Sequence, residues 1–170
     1  MYSQARQDDF VLHLIDKPGT YLEIGASHPI SINNTYALEQ RGWNGLSLDI
    51  EASNLPAWYQ HRENPLIIAD AITYEYYPKH YDYVQLDIDP PANTFKALQR
   101  IFECGVTFSI LTYETDAYSD SSFVEPSREL ITSKGYILAF KDIQSAFGPF
   151  EDWYINPKTI DKNKLKTWIQ

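Results

Sequence analysis

Residues 20–50, TYLEIGASHPISINNTYALEQRGWNGLSLDI, read as a strand, a turn, a short helix and a second strand. The run at 20–25 is apolar and β-rich and ends in a glycine. A helix is then expected from about 34 to 41, with Asn33 or Asn34 as the cap and Gly42 as the stop. Residues 45–50 return to a strand pattern. A strand–helix–strand unit of this length predicts a parallel pair. Working outward, the same alternation continues. Phe10, Val11, Leu14 and Ile15 suggest an opening helix closed by Pro18-Gly19. Further strands are expected at 65–69, 82–87, 106–113, 135–140 and 150–155; Glu151-Asp152-Trp153-Tyr154 in the last reads either as an edge strand packing Trp153 into the core or as a direct substrate contact. A helix after residue 90 has Asn93 as its expected cap, an apolar stripe of Phe95, Leu98, Ile101 and Phe102, and Gly105 as its stop. Residues 127–133 also read as helical. The expected fold is therefore α/β, a Rossmann-like sheet of about seven mostly parallel strands with helices on both faces. One domain is expected over 1–170, with the helix of 1–18 packed on its core.

Composition narrows the function classes. The chain has 170 residues, 44% of them apolar and 22% charged, enough for one real core. A formal net charge of −9 argues against nucleic acid as a partner, because phosphate binding needs a basic footprint. The only basic cluster, Lys158, Lys162, Lys164 and Lys166, reads as a solvated terminal face. Cys104 is the one cysteine and suits packing against a helix end. No apolar leader or membrane-length run is present, so a cytoplasmic protein without membrane association is expected. Tyr74, Tyr76 and Tyr77 read as exposed rings through which copies could associate.

The chemistry is expected beyond the carboxyl ends of the strands, where open α/β sheets bind ligands. Every expected strand end there carries an acid: Glu23, Asp49, Asp70, Asp87 with Asp89, and Glu114 with Asp116. Such a rim suits a ligand with adjacent hydroxyls, a donor-bearing base and positive charge. Asp49 stands near the offset from Gly25 at which an acid accepts ribose hydroxyls. Asp70 can accept from an adenine amine, with Ala71 leaving room for the ring. Glu23 and Asp87 would flank an ammonium and a sulfonium. The helix starting near Asn34 offers free amides to a ligand carboxylate. A nicotinamide dinucleotide would need glycines around its pyrophosphate, whereas the turn GASHPISIN has one glycine followed by bulky residues. S-adenosylmethionine carries no phosphate and fits the turn. His28, in the same turn, reads as an incidental loop histidine.

Several ordered motifs then resemble the FkbM-type methyltransferases. Ser3-Gln4 with Gln7-Asp8, the segment from EIGA through N-T, L-E and G-W-x-G, and YDYVQLDID resemble its elements in order. Glu114-Thr115-Asp116-Ala117-Tyr118, Ser127-Arg128, Gly135-Tyr136 and Glu151-Asp152-Trp153-Tyr154 resemble its carboxyl half. The resemblance implies a class I methyltransferase fold, S-adenosylmethionine as cofactor and O-methylation of a sugar or other small hydroxylated acceptor. The candidate cofactor residues are Glu23, Gly25, Ala26, Asn34, Asp49, Ile50, Asp70, Ala71 and Asp87. Asp89 and Glu114 are the candidate base or orienting groups at the rim. No metal is expected; a divalent ion on Asp87, Asp89 and Glu114 is the minor alternative. Asp89-Pro90-Pro91 is similar to a motif of amide and base N-methyltransferases, but Ala92 stands where an aromatic would stack. The simpler reading is a proline lead into the next helix. N-methylation, a non-catalytic binding module and a nicotinamide oxidoreductase remain as alternatives.

Overall fold

A computed structural model describes residues 2–168. Its seven strands form one sheet in the order β3-β2-β1-β4-β5-β7-β6. They are β1 (Thr20–Ile24), β2 (Asn44–Asp49), β3 (Leu66–Ile68), β4 (His80–Leu86), β5 (Thr107–Glu114), β6 (Ile137–Ser145) and β7 (Gly148–Ile155). The β1–β2, β2–β3, β1–β4 and β4–β5 pairs are parallel. Only β7 runs against its neighbours, between β5 and β6. The methyltransferase-type Rossmann-like sheet expected from the sequence is thus present. The last strand is not an edge strand: β7 lies inside the sheet, and Trp153 on it has no exposed surface.

Alternation along the strands explains the two cores. Leu22 and Ile24 of β1, with Val84 and Leu86 of β4, pack with Ala97, Leu98 and Ile101 of α4 (Pro91–Glu103) and Ile131 of α5 (Val124–Ser133). Tyr21 and Tyr83 join Phe10, Val11 and Leu14 of α1 (Gln7–Leu14) and Leu38 of α2 (Tyr36–Glu39) in a second cluster. That parity is the two-residue period of strands. Fully burying Leu98 or Ile101 stabilises the fold by about 1.5–3 kcal/mol each.

Local readings need some correction. The helix expected over 34–41 is reduced to the four residues of α2, because Asn33 folds its side chain back onto the amides of Thr35 and Tyr36. Asn93 does not cap α4; the helix already begins at Pro91, and Asn93 Nδ2 donates to the Asp89 carbonyl at 3.3 Å. Gly42 and Gly105 stand in the left-handed region just past helix ends, where stops were read. A further helix, α3 (Leu55–His61), has no counterpart in the sequence reading; its one buried residue, Trp58, is too weak an apolar stripe to reveal it. Tyr76 is buried rather than exposed, its hydroxyl donating to the Ala71 carbonyl at 3.0 Å. Cys104 is half-buried against the first core. Among the described residues, no helix is long and apolar enough to cross a membrane.

Candidate functional site

A cleft of about 710 Å³ opens at the carboxyl ends of β1, β2, β4 and β5. Every residue proposed from the sequence as cofactor-binding or catalytic lines it: Glu23, Gly25, Ala26, Asn34, Asp49, Ile50, Asp70, Ala71, Asp87, Asp89 and Glu114. The strand-end acids converge because parallel strands in register bring their ends to one edge. With Glu51 and Asp116 they make eight carboxyl side chains, and no lysine or arginine lines the cleft among the described residues.

Gly25 is required by the fold itself. Its φ is +85°, and a Cβ there would lie 1.6 Å from the Asp87 carbonyl oxygen. The turn after β1 is pressed against the end of β4, and this contact sets the depth of the cleft between them. Asp49 accepts from the Ser27 amide at 2.7 Å and the Glu51 amide at 2.8 Å, so it holds both the first loop and its own turn. Asp70 accepts from the Ile72 amide at 2.9 Å. Ile50 is 67% exposed and Ala71 is buried, which offers an apolar slot between the two acids.

The first loop carries two corrections. The amides of Thr35 and Tyr36, which the sequence reading offered to a ligand carboxylate, are taken by Asn33 Oδ1 at 3.0 and 2.8 Å. Asn34 instead turns its side chain into the cleft lining, with Oδ1 buried and unpartnered. His28 Nδ1 accepts from the amides of Ile30 and Ser31, so this side chain shapes the loop.

Arg62, at the end of α3, is a residue the sequence reading missed. Its guanidinium is buried over the Trp58 ring at 4.3 Å. It donates to Glu39 at 2.5 Å, Thr35 at 2.8 Å and Tyr21 at 2.9 Å, and to the Pro29 carbonyl and Asn33 Oδ1 at 3.1 Å each. It therefore ties the loop to α2 and β1. Glu23 is buried beside this network and accepts from Thr35 Oγ1 at 2.9 Å and Ser47 Oγ at 2.7 Å. Burial raises its carboxyl above the ordinary range, against the pull of Arg62.

The other end of the cleft has no such cation. Asp87 and Glu114 stand at the ends of the adjacent parallel strands β4 and β5; burial pushes both carboxyl groups upward, and the neighbouring Asp87 raises Glu114 further. Asp116 is raised by burial as well. Behind them, Glu151 of β7 pairs in register with Glu114 and accepts from Gln7 Nε2 at 3.0 Å and from Trp153 Nε1. Burial lifts Glu151 to about 8. The metal alternative is corrected here. Among the described residues no group of three or more His, Cys, Asp or Glu side chains is placed to hold an ion.

The orphaned acceptors test whether the lining fits S-adenosylmethionine. Asn34 Oδ1, Gln85 Oε1 and Asp116 Oδ1 are buried without a hydrogen-bond partner, and all three residues line the cleft. Buried acceptors of this kind cost free energy until a donor meets them. A ligand rich in N–H and O–H donors and bearing positive charge matches that set; a phosphate does not.

Comparison with known proteins agrees at the level of the fold. The 1,6-didemethyltoxoflavin-N1-methyltransferase of Burkholderia thailandensis, crystallised with 1,6-didemethyltoxoflavin and S-adenosylhomocysteine, matches with a TM-score of 0.59 at 11% identity, over 89% of this chain and 76% of that one. An rRNA methylase from Streptococcus thermophilus matches at 0.55 and 13% identity, over 92% and 98% of the two chains. TYW2 of M. jannaschii, in complex with AdoMet, matches at 0.54 and 13% identity, over 92% and 78%. The fold is therefore that of the Rossmann-like methyltransferases. No protein-family model and no curated protein matches the chain, so the FkbM-type resemblance rests on its motifs.

Proposed function

We propose that this chain is an S-adenosylmethionine-dependent methyltransferase of FkbM type, acting on a hydroxyl of a sugar or similar small acceptor. The observation that carries the reading is the cleft itself: eight carboxyl side chains, unpartnered buried acceptors and no lysine or arginine in its described lining. Asp49 would take the ribose hydroxyls, because a carboxylate already fixed by two amides keeps lone pairs free and needs no reordering. Asp70 would accept from the adenine amine, with Ile50 and Ala71 flanking the ring. Glu23, Asn34 and Asp87 would hold the amino-acid end, and Gly25 and Ala26 would let it approach the backbone.

When bound, S-adenosylmethionine supplies an activated methyl group on a sulfonium. The chain's part is to place an acceptor oxygen in line and to take its proton. Glu114 and Asp89 are the groups for that role. Asp89 is exposed at the mouth and suits orientation of the acceptor. Glu114, more basic than an ordinary carboxylate, suits the proton. Tyr118 at the mouth, with Phe147 at a ring distance of 6.0 Å, adds an aromatic face on which a pyranose could rest. The acidic lining disfavours an RNA or DNA acceptor.

Calorimetric titration with S-adenosylmethionine, S-adenosylhomocysteine and NAD tests the cofactor. Micromolar binding of the first two and none of the third is expected; no binding of either sulfur ligand by folded protein refutes the reading. Transfer of a labelled methyl group to a panel of glycosides, with oligonucleotides alongside, then tests the acceptor class. Labelled oligonucleotide and unlabelled glycoside would overturn it.

A further inference from the structure

Among the described residues, three side-chain oxygens of the cleft lining are buried without a hydrogen-bond partner, and the topology divides them. Asn34 stands in the loop after β1, and Gln85 of β4 has Glu23 of β1 as its register partner. Both belong to the end given above to the amino-acid part of the cofactor. Asp116 lies just past β5, and β1 and β4 separate it from the strand that carries Asp49. At about 4.8 Å per strand, the ends of β2 and β5 are roughly 14 Å apart. The acid placed for the ribose and Asp116 therefore serve different molecules or different parts of one.

Everything in Asp116 is engaged except its carboxyl. Its φ is +44°, in the left-handed region. Its amide donates to the Phe150 carbonyl at 3.0 Å, and its own carbonyl accepts from the Ser119 and Asp120 amides at 2.8 and 3.2 Å. The residue is 5% exposed, yet Oδ1 meets no donor. Tyr118, two residues on, lines the cleft with its ring 47% exposed. Phe147, from the β6–β7 turn, is 79% exposed with its ring 6.0 Å away. Gly148 lets that turn come close, since a Cβ there would stand 3.3 Å from the Tyr118 Cβ. A buried carboxyl oxygen without a donor beside two open rings suits an organic ammonium: the carboxylate takes the N–H groups and the charge, the rings the cation's face. A neutral hydroxyl could donate to Oδ1 but would leave the charge uncompensated. Burial raises the Asp116 carboxyl, and an adjacent cation favours its ionised form. A phosphate or carboxylate on the acceptor would find no lysine or arginine in the described lining.

We propose that the methyl acceptor carries an ammonium as well as the hydroxyl, as an amino sugar or similar hydroxylated amine does, and that Asp116 binds this ammonium beside the Tyr118 and Phe147 rings. The inference rests on the reading of the cleft as that of a methyltransferase acting on a small hydroxylated acceptor. The ammonium is a handle and not the atom methylated, because its nitrogen lone pair is held by a proton.

The test uses the full chain saturated with S-adenosylhomocysteine and titrated calorimetrically with three probes: methyl glucopyranoside, its 2-amino-2-deoxy analogue, and the N-acetyl derivative of that amine. The N-acetyl compound keeps an N–H donor and loses the charge. The amine should bind at least about tenfold more tightly than either neutral glycoside. Asp116→Asn keeps the shape and tolerates the left-handed backbone, and it should bring the three affinities to within about twofold of one another. Tyr118→Leu should reduce the preference by about threefold. Equal affinities in the unaltered protein, no millimolar binding of the amine, or a preference that survives in Asp116→Asn overturns the inference and leaves the cofactor reading standing. Should Asp116→Asn fail to fold, Tyr118→Leu decides, and an unchanged preference there overturns it. If S-adenosylhomocysteine itself does not bind, the cofactor reading fails and this inference with it.

Discussion

Replacing Arg62 with alanine tests whether a single buried cation organises the cofactor side of the cleft. The side chain has no accessible surface, and Glu39, its ion-pair partner at 2.5 Å, is 7% exposed. Removing the guanidinium deletes five donated hydrogen bonds and leaves a buried carboxylate uncompensated, with Glu23 close behind. Breaking a buried pair by deleting one partner costs about 3–5 kcal/mol. Domains of this kind have roughly 5–15 kcal/mol in total. At about 2–4 °C per kcal/mol for a chain of this size, Tm should fall by roughly 6–20 °C. The acid limb should change too. Burial alone would raise Glu39, but its bonds from Arg62 and from the Glu63 and Asn64 amides hold it below the ordinary value. A depressed carboxyl contributes stability above its unfolded pKa and loses it as pH falls through the folded one. Alanine at 62 should therefore shrink the gain in Tm between acid and neutral pH. Thermal melts by circular dichroism at acid and neutral pH measure both effects. A Tm change of less than about 2 °C, with an unaltered acid limb, would refute the assignment of Arg62 as the organising cation.

Asp49→Ala should weaken S-adenosylmethionine binding at least about 100-fold in calorimetry, since it removes the ribose acceptor and also frees the Ser27 and Glu51 amides. Gly25→Ala should abolish binding and lower Tm, because its Cβ would meet the Asp87 carbonyl at 1.6 Å in a backbone conformation that already disfavours a side chain; a variant that melts and binds normally would contradict that contact. Glu151→Gln should raise Tm more at pH near 8 than near 5: the folded carboxyl, lifted to about 8, keeps its proton where the unfolded one has lost it, so it withdraws stability as pH rises from about 4.3. The glutamine oxygen can still accept from Gln7 and Trp153, so equal Tm changes at both pH values would count against the raised carboxyl.

Much of the fold and the membership of the cleft were legible in the chain because both depend on local pattern. Strand alternation, glycine stops and an acid at each strand end are properties of a few neighbouring residues, and parallel strands carry such ends to one edge whatever their order. All the residues proposed for the cleft line it. The errors lie where distant groups compete for the same atoms. Asn33 and Asn34 look alike as caps, and only the folded loop shows that Asn33 takes the helix amides while Asn34 is left facing the cleft. Arg62 meets Tyr21 from 41 positions away, and Gln7 meets Glu151 from 144. No periodicity encodes such meetings. The chain alone therefore determined where charge would gather. Which carboxyl groups have a cation beside them and which are raised by burial among other acids was decided only by the tertiary structure, because an ionisation state depends on desolvation and on the few charges within several ångströms.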